Sequence, residues 1–158
     1  MIIALVLLLT FTWVFAAEAP VKILLDEDNT FTAWKAFGQN TDPAFVKTGK
    51  VSAVWKGVGG RAFSSRTFAA DEDWSSYNTF SFWAWSGSAN GAIFALNINA
   101  SNTHVGDSYF KLIAVDWSGW KKFEIPFSAF SKNRNPTGWS RVNGLTLMSE
   151  GMGAQSKS

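Results

Sequence analysis

The chain has 158 residues, of which 14 are Lys or Arg, 12 are Asp or Glu and none is Cys. This length predicts one domain that can bury a core without metals or disulfides, and the lack of cysteine excludes a disulfide scaffold, a thiolate zinc site and a thiol nucleophile. The net charge of +2 comes without a basic stripe, which argues against nucleic-acid binding. Abundant Gly, Ser, Asn, Thr and aromatic residues favour an all-β fold with many turns.

The first 19 residues have the pattern of a targeting segment. Residues 1–15 are apolar almost throughout, and small residues follow at Ala16, Ala17 and Ala19. The run is short for a transmembrane helix, which needs about 20 apolar residues. We therefore expect a signal peptide over residues 1–19, with a membrane anchor as the alternative. Either interpretation predicts a secreted, periplasmic or extracellular domain.

Short strands separated by turn signals make up the rest of the chain. The predicted strands are residues 21–25, 51–55, 61–70, 79–85, 92–99, 109–116, 121–127 and 142–149. Residues 30–37 fit a strand, a turn or a helix, 38–50 and 128–141 are predicted loops, and 151–158 are a predicted disordered tail. Strands of this length and spacing are typical of a β-sandwich or jelly roll, which we place over residues 20–150.

The clearest alternation lies in residues 79–85. Successive side chains of a strand point to opposite faces, so Phe80 and Phe82 share one face while Trp83 and Trp85 share the other with Ser81. The first face is expected to pack in the core. The second is a candidate for ligand binding, and the alternative is that each tryptophan packs under a loop or against the second sheet.

Several sequence blocks resemble a known family. They are residues 73–77 (DWSSY), 80–83 (FSFW), 115–130 (VDWSGWKKFEIPFSAF), 134–136 (RNP) and 138–139 (GW). The pattern is similar to galactose-binding-like jelly-roll modules found beside heparinase II/III-like polysaccharide lyases and beside glycoside hydrolases, over roughly residues 22–150. The resemblance implies a jelly-roll fold and non-catalytic binding of a polysaccharide. Because the same fold also serves protein binding, a protein-interaction domain remains the alternative, and a small polysaccharide lyase is a third reading.

One departure from this family concerns the C-terminal end. Such modules usually continue into a last strand with an acidic residue that helps to bind structural calcium, whereas this chain stops soon after Leu147. We therefore expect the last strand to be missing, as in a truncated part of a polysaccharide-degrading enzyme or an assembly fragment. The acidic run 26–29 offers the oxygen ligands that calcium takes, and the resemblance implies calcium at Asp26 and Asp28. A solvated acidic turn is the alternative.

The strand alternation also assigns a core face and a binding face. The expected core is Phe80, Phe82, Phe94, Leu96, Phe110, Leu112, Phe123, Ile125, Leu145 and Leu147. The expected carbohydrate-binding residues are Trp83, Trp85, Asn97, Asn99, Tyr109, Lys111 and Lys122. Aromatic rings stack on the apolar faces of pyranoses, and amide and ammonium groups hydrogen-bond to hydroxyls. Lys111 and Lys122 also suit a uronate carboxylate, whereas the turn around Trp120 favours a structural role for that residue.

Catalytic groups do not form a recognisable set. His104 is the only histidine and lies in a predicted turn, whereas a lyase would need it beside Tyr109 and an arginine. The carboxylates Asp107, Asp116 and Glu124 are scattered over different segments, so their spacing identifies no hydrolytic pair. The sequence therefore predicts a binding module rather than an enzyme.

Overall fold

The computed structural model describes residues 34–35, 38–55, 63–101 and 106–155. The strands are β1 (Trp34–Lys35), β2 (Gly38–Asn40), β3 (Ser52–Val54), β4 (Phe63–Glu72), β5 (Thr79–Ser86), β6 (Ile93–Asn99), β7 (Ser108–Ala114), β8 (Gly119–Pro126), β9 (Ser131–Asn133) and β10 (Val142–Met148). The only helical turns in these ranges are 3₁₀ turns at Pro43–Phe45 and Phe127–Ala129. No helix in the described ranges is long and apolar enough to cross a membrane.

Six strands form one antiparallel sheet in the order β1-β4-β10-β6-β7-β9, and β5–β8 and β2–β3 form two separate antiparallel pairs. Strand β10 lies in the centre of the large sheet, where Leu145 is opposite both Arg66 of β4 and Ile98 of β6. The register between β10 and β4 shifts next to Gly144. A Cβ at this position would lie 2.5 Å from the carbonyl oxygen of Arg66, so the close approach of the two strands requires glycine.

The hydrophobic core joins the six-stranded sheet to β5–β8. Leu96, Ile98 and Leu145 of the large sheet and Ile125 of β8 are buried, and Phe82 of β5 packs beside them. Because these residues alternate with outward-facing side chains along each strand, the two sheets form a sandwich with one shared core. The predicted all-β sandwich is confirmed.

Aromatic rings fill one end of this core. The Trp139 ring lies between those of Tyr109 and Phe127, at centroid distances of 4.1 and 3.9 Å. Trp74 donates its backbone N–H to the Trp139 carbonyl at 2.7 Å and its indole N–H to Glu72 Oε2 at 2.9 Å. These contacts tie the connection after β9 to the sandwich, so the DWSSY and GW blocks of the sequence serve the fold.

The longer strands were predicted well and the shortest were not. Strands β3 to β8 and β10 overlap the segments predicted from the sequence, whereas β2 and β9 were missed. Strand β1 lies in residues 30–37, which were left open between a strand, a turn and a helix. A strand of two or three residues is too short to show a period of two. Strand β3 is equally short, but it lies within the run VSAVW at residues 51–55, which is rich in β-branched and aromatic residues. Strand β2 lies in the predicted loop 38–50 and β9 in the predicted loop 128–141. The predicted strand 21–25 and the predicted signal peptide lie outside the described residues.

The predicted facing of β7 is wrong. Tyr109 and Ile113 are buried in the core, at 6% and 5% exposure, whereas Leu112 is 38% exposed on the other face. Both faces of this strand carry large apolar side chains, so alternation alone could not choose between them. The pairing of β7 with β6 determines which face is buried, because Tyr109 lies opposite Ile98, which belongs to the core.

The tail predicted to be disordered is ordered over residues 151–155. Ile93 and Gln155 exchange two backbone hydrogen bonds of 2.8 Å, and Ala154 donates its N–H to the Gly151 carbonyl. Positive φ angles at Gly151 and Gly153 permit this turn. The pairing is carried by the backbone, so the composition of this segment gave no signal for it.

Candidate functional site

The outer face of β5–β8 carries an exposed group of tryptophans. Trp83 and Trp85 are 40% and 44% exposed and, with Leu112, are the exposed large hydrophobic residues of the described ranges. The alternation of β5 explains this, since Phe82 points inward and stacks on Phe123 at 4.9 Å. Trp85 lies directly opposite Trp120 of β8. We call Trp83, Trp85 and Trp120 the tryptophan platform.

The segment after β2 borders this platform. Asp42 begins the 3₁₀ turn Pro43–Phe45 by accepting the Ala44 N–H at 2.9 Å. The Phe45 ring meets the Trp85 ring edge to face at a centroid distance of 4.7 Å. The Lys47 ammonium lies 4.6 Å from the centroid of the Trp83 ring. One short turn therefore adds an aromatic ring and a cation to the platform.

The two lysines beside the platform, Lys122 and Lys47, differ in whether a carboxylate pairs with them. Lys122, which lies directly opposite Trp83, pairs with Glu124 at 2.7 Å, and both side chains are largely exposed. Such a surface pair is weak, at about 0–1 kcal/mol. Lys47 has no carboxylate partner within ion-pair distance among the described residues. The ammonium of Lys47 is therefore held by the tryptophan ring rather than by an acid.

A second ion pair orders the turn that leads to Trp120. Lys121 donates to Asp116 Oδ1 at 2.8 Å, and this hydrogen bond together with the positive charge lowers the pKa of the Asp116 carboxyl. The Lys121 ammonium also lies 5.2 Å from the Trp117 ring centroid. Gly119 adopts a positive φ of 78° at the start of β8. These contacts order the turn, which presents Trp120 on the same face as Trp85. The structural role expected for Trp120 stays a prediction.

The seven residues predicted to bind carbohydrate do not lie on one surface. Trp83, Trp85 and Lys122 lie together on the outer face of β5–β8. Asn97 and Asn99 lie on the outer face of the six-stranded sheet, on the opposite side of the sandwich, because they alternate with core residues of β6.

The two asparagines have partners within their own sheet. Asn97 is only 3% exposed and donates to Met148 Sδ at 3.2 Å. Asn99 donates to Thr146 Oγ1 at 3.1 Å. The expectation that they join the tryptophans is therefore wrong, because the core separates the two faces.

Tyr109 and Lys111 lie on the inner face of the six-stranded sheet, which packs against the core. Tyr109 stacks on Trp139, and burial raises the pKa of its phenol. Lys111 is half-buried and lies opposite Leu96. The predicted binding face was wrong for these two residues because both faces of β7 carry large apolar side chains, so alternation could not show which face is buried.

The predicted calcium ligands and the single histidine are not among the residues that the structure describes. Asp26, Asp28 and His104 lie outside the described residues. Within the described ranges, no group of three or more His, Cys, Asp or Glu side chains is placed to hold a metal ion. Calcium at Asp26 and Asp28 therefore stays a prediction.

Sequence reasoning missed Phe45 and Lys47. Both lie in the segment predicted to be a loop, about 40 residues before the tryptophans that they contact. No local pattern could reveal these contacts, because they depend on how β2–β3 is placed beside β5.

The fold and the exposed tryptophans are those of a β-sandwich binding module, and aromatic faces of this kind are suited to stacking on sugar rings. Residues 29–149 match the model of the family described as carbohydrate binding domain (family 11). The chain belongs to this family. It is a non-catalytic carbohydrate-binding module, and its partner is a polysaccharide or oligosaccharide.

Solved structures share the fold. A family 11 module from Clostridium thermocellum, in complex with a β-1,3-1,4-mixed-linked tetrasaccharide, is 24% identical with a TM-score of 0.52, over 78% of this chain and 83% of that chain. The family 11 module of the cellulosomal cellulase Lic26A-Cel5E of Clostridium thermocellum gives the same identity and TM-score, over 78% and 82%. The agarase AgWH50C is 15% identical with a TM-score of 0.52, over 79% of this chain and 21% of that chain. No curated protein matches the chain.

Proposed function

We propose that the chain binds its polysaccharide on the tryptophan platform. The observation that carries this proposal is the exposure of Trp83 and Trp85 on one face of β5, while Trp74 and Trp139 pack in the core. A strand rises about 3.3 Å per residue, so the two attachment points are about 6.6 Å apart and one oligosaccharide can span both rings. The indole faces would stack on the C–H faces of the sugar, and Lys122 and Glu124 would hydrogen-bond to its hydroxyls.

The ligand class that we propose first is a β-linked glucan. The family 11 module in complex with a β-1,3-1,4-mixed-linked tetrasaccharide supports this choice, since it shares the fold. The activity is binding alone: the module holds a sugar chain and leaves its bonds intact. We further propose that it works outside the cytoplasm, which the apolar residues 1–15 and the cellulosomal origin of one structural neighbour support.

Affinity electrophoresis through gels containing single soluble polysaccharides tests the proposal. Mixed-linked β-glucan should retard the wild-type chain, and Trp83→Ala should remove most of the retardation. Leu112→Ala is the matched control, because Leu112 is similarly exposed but lies on the outer face of the six-stranded sheet. If Leu112→Ala abolished binding and Trp83→Ala left it intact, the site would lie on the other side of the sandwich and the proposal would be wrong.

A further inference from the structure

We propose that Lys47 sets the ligand preference of the tryptophan platform, and that it favours sugar chains with acidic units, such as uronic acids, over neutral chains of the same linkage. This inference rests on the proposed function, because it assumes that a sugar ring stacks on Trp83. It adds a specificity-determining residue: neutral β-glucans still bind, and chains of the same linkage that carry acidic units bind more tightly.

The Lys47 ammonium lies close to the ring on which a sugar would stack. At 4.6 Å from the ring centroid, the ammonium lies over the face of Trp83, where a pyranose would stack. Ammonium and sugar cannot occupy the centre of that face together. A sugar that stacks on the face covered by Lys47 must therefore displace the ammonium, and the flexible four-carbon stem of lysine allows it to move to the edge of the ring.

Neutral and acidic sugars differ in the groups with which the displaced ammonium can interact. Every sugar that stacks on the face of Trp83 covered by Lys47 breaks the cation–π contact, which lowers its affinity by about twofold to fivefold. A neutral sugar offers the displaced ammonium only hydroxyl groups. A uronate offers a carboxylate at the edge of the stacked ring, and an ion pair there restores about the same factor. Lys47 thus disfavours neutral chains and compensates acidic ones, which is how differential affinity produces specificity.

Lys47 differs from the neighbouring Lys122 in its charge partners. Lys122 also lies beside Trp83, but its ammonium already pairs with Glu124 at 2.7 Å. A ligand carboxylate at Lys122 would have to compete with that glutamate. Lys47 has no carboxylate partner among the described residues. A ligand carboxylate can therefore pair with its ammonium without displacing a protein carboxylate.

The experiment uses two ligands that differ at one carbon: a cello-oligosaccharide and the β-1,4-glucuronan oligosaccharide of equal length, in which each C6 is a carboxylate. Titration calorimetry at low salt measures both affinities for the full chain and for Lys47→Met, which keeps the stem and removes the charge. We expect the wild type to prefer the glucuronan. In Lys47→Met the affinity for the neutral ligand should rise about twofold to fivefold, while that for the glucuronan should not rise, so the preference falls by the same factor.

Two further variants serve as controls. Lys132→Met removes one exposed positive charge from β9, in the six-stranded sheet, and should leave the preference unchanged. Lys47→Arg keeps the charge and should keep the preference. High salt should weaken glucuronan binding to the wild type more than to Lys47→Met, since screening acts on the ion pair.

The outcomes separate this inference from the proposed function. If Trp85→Ala weakens both ligands but Lys47→Met shifts both affinities by one factor, the platform is correct and the role of Lys47 is overturned. A wild type that binds the neutral ligand as tightly as the glucuronan, or that binds neither, also overturns it. If Trp85→Ala changes neither affinity, the site lies elsewhere and the proposed function itself fails.

Discussion

Truncation of Trp85 is the substitution whose effect follows most directly from the structure. The side chain is 44% exposed on the outer face of β5, opposite Trp120 and in edge-to-face contact with Phe45. Trp85→Ala removes the exposed ring while leaving the inward-facing residues of β5 in place. We therefore expect a loss of sugar affinity, together with a loss of stability from the buried part of the side chain.

The magnitude can be worked out from the exposed area. A tryptophan side chain presents up to about 250 Å², so an exposure of 44% leaves on the order of 110 Å² open to a ligand. A pyranose that covers half of this area and loses an equal area of its own gains about 2–3 kcal/mol at about 25 cal/mol per Å². Ordering and desolvation costs reduce the observed effect to about 1–2 kcal/mol, a fivefold to thirtyfold loss of affinity.

Titration calorimetry with the β-1,3-1,4-mixed-linked tetrasaccharide would measure this loss. Trp85→Phe is the matched control, since a smaller ring should retain part of the affinity. Thermal unfolding should show one cooperative transition at a lower temperature for Trp85→Ala. The substitution loses the buried part of the ring and its contact with Phe45, which is worth about 0.5–1.5 kcal/mol beyond area burial, whereas the inward-facing core residues of β5 stay in place. A folded Trp85→Ala that bound with unchanged affinity would refute the reasoning.

Three other predictions concern the fold and the calcium ion. Trp139→Ala should lower the free energy of unfolding by about 3 kcal/mol in urea titrations, because its ring is stacked between Tyr109 and Phe127; a loss below about 1 kcal/mol would contradict that core role. Burial raises the pKa of Tyr109 in the folded state, so the unfolded chain loses this proton first and stability should fall as the pH rises above about 10. Tyr109→Phe should flatten that alkaline decline in chemical unfolding curves between pH 9 and 11, and an unchanged slope would assign the decline to other groups. Calcium at Asp26 and Asp28 predicts a higher unfolding temperature in calcium than in chelator, and a lower sensitivity in Asp28→Asn; equal temperatures in the wild type would show that prediction to be wrong.

The fold could be predicted because several strands alternate over seven or more residues. Residues 79–85 show this best, since the inward Phe80 and Phe82 and the outward Trp83 and Trp85 are as the alternation requires. One face of this strand is apolar throughout, whereas Thr79 and Ser81 share the other face with the tryptophans. This difference in polarity was sufficient to choose the buried face from the local sequence.

The predicted binding face was only partly correct, because the outward residues of two strands share a surface only when both strands belong to the same sheet. Alternation placed Asn97 correctly on the side away from Leu96, but it could not reveal that β6 and β5 belong to different sheets. Joining the outward residues of both strands therefore combined two opposite surfaces of the sandwich. Tyr109 was misplaced for a different reason, since β7 is apolar on both faces and only its pairing with β6 assigns them.

Phe45 and Lys47 illustrate a third limit of sequence reasoning. Their turn is locally encoded by the Asp42 cap and by Pro43. Their role is not locally encoded, because it arises from contacts with Trp85 and Trp83 across a long stretch of chain. Residues that modify a binding surface in this way become visible only when the strands are assembled.

The most direct test of sugar binding on the outer face of β5–β8 is an NMR titration of the nine tryptophan indole N–H signals with the mixed-linked tetrasaccharide. The account predicts saturable shifts of the Trp83 and Trp85 signals. The signals of Trp74, which is buried and bonded to Glu72, and of Trp139, which lies between two core rings, should stay in place. Saturable binding without movement of the Trp83 and Trp85 signals would contradict the account.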